Sequence, residues 1–127
     1  MKRVIVAMQN TLVAEVVALS LKKRDIVTEK ALNDTPCGIE FVCRAFVADV
    51  LVMDVTRFGS GTFDNRMQTI EAVRKSSPDI KICLVCDNQS DGELSYKVAN
   101  AKAMGVIDAF FYQSVPSDYI ADVIDTM

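Results

Sequence analysis

No histidine occurs anywhere in the 127 residues. That absence removes imidazole acid–base catalysis, histidine metal ligation and a phosphohistidine donor from what this chain itself can do. Positive charge is scarce too. The formal net charge is −3, and Lys22-Lys23-Arg24 is the only basic run of three. A nucleic-acid surface needs more cations, spread more widely, so direct binding of nucleic acid is not expected. No stretch reaches the roughly 18 unbroken apolar residues of a membrane span. Met1-Lys2-Arg3 and the five apolar residues after it are too short for an export signal and suit a first strand better. These absences point to a cytoplasmic protein without membrane contact. Cys37, Cys43, Cys83 and Cys86 lie in apolar surroundings and are expected as free, buried thiols in a reducing cytosol.

What is present is an ordinary globular composition, 50% hydrophobic and 24% charged, in a length that suits one domain over residues 1–127. No linker, internal repeat or low-complexity tract divides it. Residues 4–8 form a continuous apolar run, as expected of a strand buried on both faces. Asn10 or Thr11 then caps a helix with Leu12, Val13, Val16, Val17 and Leu19 on its inner stripe, ending in the basic run. Residues 26–31 alternate as a more exposed strand. Asp34-Thr35-Pro36 supplies a cap and an N1 proline for a helix carrying Ile39, Val42, Cys43 and Phe46.

Residues 49–55 are the next strand, and residues 56–64, with Gly59 and Gly61, form a loop. Met67, Ile70 and Val73 mark a third helix that stops before Ser76-Ser77-Pro78. Residues 80–86 are a further buried strand. Ser90 or Asp91 caps a helix bearing Leu94, Val98 and Ala101, with Gly105 past its end. Residues 109–112 are the last strand, and residues 114–117 open a final helix using Ile120, Val123 and Ile124. Strict strand–helix alternation means an α/β protein with a parallel sheet between helices, because parallel strands need crossover connections.

Ligands in such sheets bind beyond the carboxyl ends of the strands. Those ends carry Met8-Gln9, Asp54, Cys86-Asp87 and Gln113, and Asp54 is the only acid closing its apolar run. Over essentially its whole length the chain resembles the receiver domains of two-component response regulators. The resemblance implies a flavodoxin-like (CheY-like) three-layer α/β/α sandwich with strand order 2-1-3-4-5 and five helices. In Leu51-Val52-Met53-Asp54-Val55, Asp54 matches the family's phosphoacceptor. Thr56 matches the position whose carbonyl helps hold Mg²⁺, and Phe110 the switch aromatic. The remaining positions depart. The family's acidic pair falls on Met8 and Gln9, its hydroxyl residue on Cys86 and its lysine on Gln113. The loop after Asp54 is also longer than in the family.

Phosphorylating a carboxylate brings two anions together, so the site must supply positive charge. Met8 offers no oxygen ligand and Gln9 only a neutral one. Gln113 removes a cation whose pairing at about 4 Å is worth about 4 kcal/mol at an effective dielectric near 20. Conventional Mg²⁺-dependent phosphorylation is therefore expected to be absent or very slow, with no bound metal or cofactor and no enzymatic activity. Asp54 then reads equally well as a structural carboxylate. Asp87 is a weak replacement acid and a better turn residue.

Three functions remain. The first is a degenerate receiver-like signalling domain acting by protein contact. The second is a phosphorylatable regulator with an altered site, the amino-terminal part of a transcription regulator for instance, needing Mg²⁺. The third is a small-molecule or redox sensor using Met8, Gln9, Asp54, Cys86 and Gln113. The resemblance implies protein partners, a histidine kinase and a second copy among them, docking on the fourth helix, fifth strand and fifth helix. Tyr96, Tyr112 and Tyr119 are the candidate contact residues there. Cys83 and Cys86 fit C-x-x-C, but three residues along a strand they face opposite ways, against zinc or redox pairing. Gly59-Ser60-Gly61-Thr62 lacks the lysine of a phosphate-binding loop and is expected to be a mobile loop.

Overall fold

The computed structural model describes residues 1–86 and 92–127. Five parallel strands lie in the order β2-β1-β3-β4-β5. They are β1 (Arg3–Ala7), β2 (Val27–Lys30), β3 (Val50–Val55), β4 (Lys81–Cys86) and β5 (Ala109–Tyr112). The helices are α1 (Thr11–Lys22), α2 (Pro36–Phe46), α3 (Phe63–Ser76), α4 (Gly92–Ala103) and α5 (Ser117–Asp125). The expected architecture and strand order are both present.

Alternation along β3 shows how the sequence builds two cores. Leu51, Met53 and Val55 pack with α2, α3 and α4, while Val50 and Val52 pack with α1 and α5. Both faces are buried, so the strand reads as one unbroken apolar run. Cys83 and Cys86 divide between the two cores in the same way and neither forms a disulfide, while Cys37, expected to be buried, is exposed. Thr35 caps α2 by accepting from Gly38 N, and Asn10 caps α1 by accepting from Val13 N. No helix among the described residues is long and apolar enough to cross a membrane.

Three further expectations need correction. On α1 the buried face is Ala14, Val17, Ala18, Ser20 and Leu21, while Leu12, Val16 and Leu19 are exposed. Apolar side chains occur almost all round this helix, and its small residues face inward where it packs on α5. Ser20 and Ser117 meet there, hydroxyl to hydroxyl at 2.7 Å. The first strand ends at Ala7, leaving Met8 buried just past the strand end. The segment expected as a mobile loop holds a short 3-10 turn at Gly59–Gly61, and α3 begins within it at Phe63. The candidate caps of α4, Ser90 and Asp91, lie outside the described residues, as does Asp87.

Candidate functional site

Parallel register brings the strand ends together at one edge of the sheet. Ala7 pairs with Met53, Asp54 with Val85, and Cys86 with Tyr112. Asp54 is therefore delivered beneath the β1–α1 connection, and it is completely buried. Its Oδ1 accepts from Gln9 N at 2.9 Å, and its Oδ2 from Asn10 N, also at 2.9 Å.

The decisive partner is Arg66, on the first turns of α3. Its Nη2 donates to Asp54 Oδ1 at 2.7 Å, and its Nε donates to the Asp54 carbonyl at 2.7 Å. The same guanidinium holds Asp34, from the β2–α2 connection, in a two-pronged pair at 2.7 and 3.2 Å. Ser60 donates its hydroxyl to Asp34 Oδ2 at 2.6 Å. Burial pushes the Asp34 carboxyl up, but hydrogen bonds from Arg66 and Ser60 and the charge of Arg66 outweigh it. The net result lies below the ordinary 3.8. Arg66 itself is 1% exposed. An ion buried so deeply is stable only when matched on several sides.

The loop expected as mobile seals this cluster. Gln9 Oε1 accepts from Gly61 N at 2.9 Å and from the Thr56 hydroxyl at 3.0 Å. Thr56 N donates to the Gly61 carbonyl at 2.7 Å. Gly59 has φ +83°, and a Cβ there would stand 2.7 Å from Gln9 Nε2. A Cβ on Gly61 would stand 2.6 Å from the Thr56 hydroxyl oxygen. Glycine is thus favoured at 59 by the positive φ and the approach to Gln9, and at 61 by the approach to Thr56.

Of the expected site residues, Gln9, Asp54 and Thr56 are brought together and hydrogen-bonded in one network. Met8 is buried in the core on the α1–α5 side. Cys86 is fully buried in the opposite core, packed with Leu84 and Val55. Gln113 is exposed, its backbone N–H bonded to the Cys86 carbonyl, and it borders a small groove with Leu12, Val16 and Val115. The expected five-residue pocket is therefore not assembled. Phe110 is half-buried and meets Tyr112 edge-on at 5.7 Å. Tyr119 meets Phe111 in the other layer, and Tyr96 is exposed.

The expectation that neutral groups replace every cation around Asp54 is also corrected, because Arg66 was missed. A signal for it was available. Stepping back along the stripe Val73, Ile70 by four residues lands on Arg66, a charge on the core face of α3. Such a charge requires a buried carboxylate, and few were available.

The donor set does not fit Mg²⁺. Among the described residues, Met8 has no oxygen, the Gln9 carbonyl oxygen already accepts twice, and three hydrogen bonds, one of them from a guanidinium, already engage both oxygens of Asp54. Among the described residues no three cysteine, aspartate or glutamate side chains gather as a metal set. Thiol chemistry finds no support in the core, where burial pushes Cys43 and Cys83 up to about 12.

No family model matches the sequence, and no curated protein does. Solved structures do match in shape. A CheY-like response regulator receiver domain protein from Methanospirillum hungatei aligns with TM-score 0.74 and 17% identity, over 99% of this chain and 92% of that one. This is the receiver-domain fold. An orphan response regulator of H. pylori aligns at TM-score 0.74 and 13% identity, covering 98% and 94% of the two chains. The signal receiver domain of a NarL response regulator from Mycobacterium tuberculosis gives 0.71 and 19%, again over 98% and 94%. Within the receiver fold, Asp54 stands at the carboxyl end of the central strand β3, and Arg66 occupies it from inside.

Proposed function

We propose that this chain is a receiver-like signalling domain of two-component type in which the acid pocket has become structural. It works by protein–protein contact and not by Mg²⁺-dependent phosphorylation of Asp54, and it is not an enzyme. One observation carries this reading: the buried Arg66 guanidinium pairs with Asp54 beneath a loop hydrogen-bonded to Gln9. A phosphodonor would have to displace an ion pair, two backbone amides and that loop together. The partner face is the one built by α4, β5 and α5, where Tyr96, Met104 and Tyr119 are exposed. A histidine kinase or a second copy is the partner such a domain would meet there.

The test is a Mg²⁺ titration followed at the Gln9 and Asn10 amides by NMR, since both donate to Asp54. Millimolar Mg²⁺ is expected to leave both resonances in place. Saturable shifts at these two amides would mean that the carboxylate still takes the ion, and the reading would be wrong.

A further inference from the structure

β2 is an edge strand, and its outer side has no partner strand. Val27 N and Ala31 N donate inward to the Lys2 and Val6 carbonyls. By alternation, the N–H and C=O groups of Thr28 and Lys30 point outward. The α2 helix packs towards α3, and a groove of about 560 Å³ lies between it and this edge. Phe41, Val42, Ala45 and Phe46 form its wall, and Leu32 and Glu29 form its rim. Phe41 is 59% exposed and Leu32 wholly so.

Charge decides what fits. Lys30 is paired with Glu15 of α1 on the other layer, whereas no ion pair joins Glu29 to another of the described residues. Ala31, two residues on and so on the same face as Glu29, packs with the α2-side core. A second copy is a poor occupant. The antiparallel register that uses all four outward groups pairs Thr28 with Lys30 of the copy and sets Glu29 opposite the copy's Glu29. Like charges directly opposed on neighbouring strands are unfavourable, which is how edges are guarded against self-association. The guard fails against a strand with a cation at that place.

We infer that the β2 edge binds an extended segment of a partner protein, antiparallel to β2, with a basic side chain over Glu29 and an apolar one in the Phe41 groove. Main-chain hydrogen bonds supply adhesion, and the alternate side chains supply selectivity. This surface lies at the edge of the sheet opposite β5, and so apart from the α4–β5–α5 face.

The probe is a blocked peptide, Thr-Leu-Thr-Lys-Thr-Phe-Thr, added to the full chain. Binding is expected to protect the Thr28 and Lys30 amides from hydrogen exchange. Replacing the peptide's lysine by glutamate should weaken binding about tenfold. The exposed Glu29→Lys variant should reverse that preference, and Phe41→Ser should weaken both peptides. The inference is overturned if no peptide binds at millimolar concentration, or if binding leaves those two amides unprotected. It is equally overturned if Glu29→Lys keeps the original charge preference. Protection that grows with protein concentration without peptide would assign the edge to a second copy instead.

Discussion

A guanidinium at 1% exposure has donors that water cannot reach, and Arg66 places Nε, Nη1 and Nη2 on two carboxylates and a carbonyl. Removing one partner of such a buried pair strands the other, at a cost of about 3–5 kcal/mol. Arg66→Ala is therefore expected to lower unfolding free energy by about that amount in urea titration. Replacing Arg66 and Asp54 together by apolar residues removes the fully buried charge that either single change strands, and leaves only the partly exposed Asp34 without its cation. Arg66→Met with Asp54→Leu should then be less destabilising than the two single changes summed, by at least about 1 kcal/mol. Strict additivity would mean that the pair contributes nothing.

The same cluster sets an acid limit. The folded-state pKa of Asp34 is lowered, so its share of stability is present above the unfolded value and lost as pH falls through the folded one. The thermal stability of the wild type should fall as pH drops below the ordinary Asp34 value of 3.8. Asp34→Asn should be less stable at neutral pH and show a smaller acid dependence.

At the scale of elements, two backbone features make separate predictions. Val47 ends α2 in the left-handed region at φ 54° and is 72% exposed. A β-branched residue there is strained, and little packing holds it. Val47→Gly should stabilise the protein by roughly 0.5–1 kcal/mol in equilibrium unfolding; a loss would show that unseen contacts of Val47 matter more. Gly61 lies in the opposite situation. Gly61→Ala drives a Cβ into the Thr56 hydroxyl and should cost about 1–3 kcal/mol, with faster hydrogen exchange at Gln9 and Asn10.

The elements themselves were legible because parallel strands buried on both faces have to be apolar throughout, as residues 50–53 are. The inner face of α1 was not, since Leu12, Val16 and Leu19 face water while Ala14, Ala18 and Ser20 are buried beside Val17 and Leu21. Size alone therefore misjudged the stripe. The loop after β3 was read from two glycines, which signal a turn but not the glutamine it closes upon.

At the scale of the whole molecule, the receiver fold collects strand ends at one edge, and that gathering could be foreseen from β–α alternation and the lone Asp54. The occupant of the gathering could not be foreseen from the strand ends alone. Arg66 arrives from a helix side chain and Asp34 from the other side of β1, so their meeting depends on three crossovers. The missing family residues pointed to an unneutralised acid, whereas the fold supplies neutralisation from within. The protein keeps the receiver fold, and its central carboxylate ties β3 to α3 and to the two neighbouring connections.

The most direct test of that claim is the intact mass of the wild-type chain after incubation with Mg²⁺ and a small phosphodonor such as acetyl phosphate. An unchanged mass is the predicted result. Rapid, stoichiometric gain of one phosphate, abolished by Asp54→Asn, would show that the arginine pair yields to the phosphoryl group, contradicting the account.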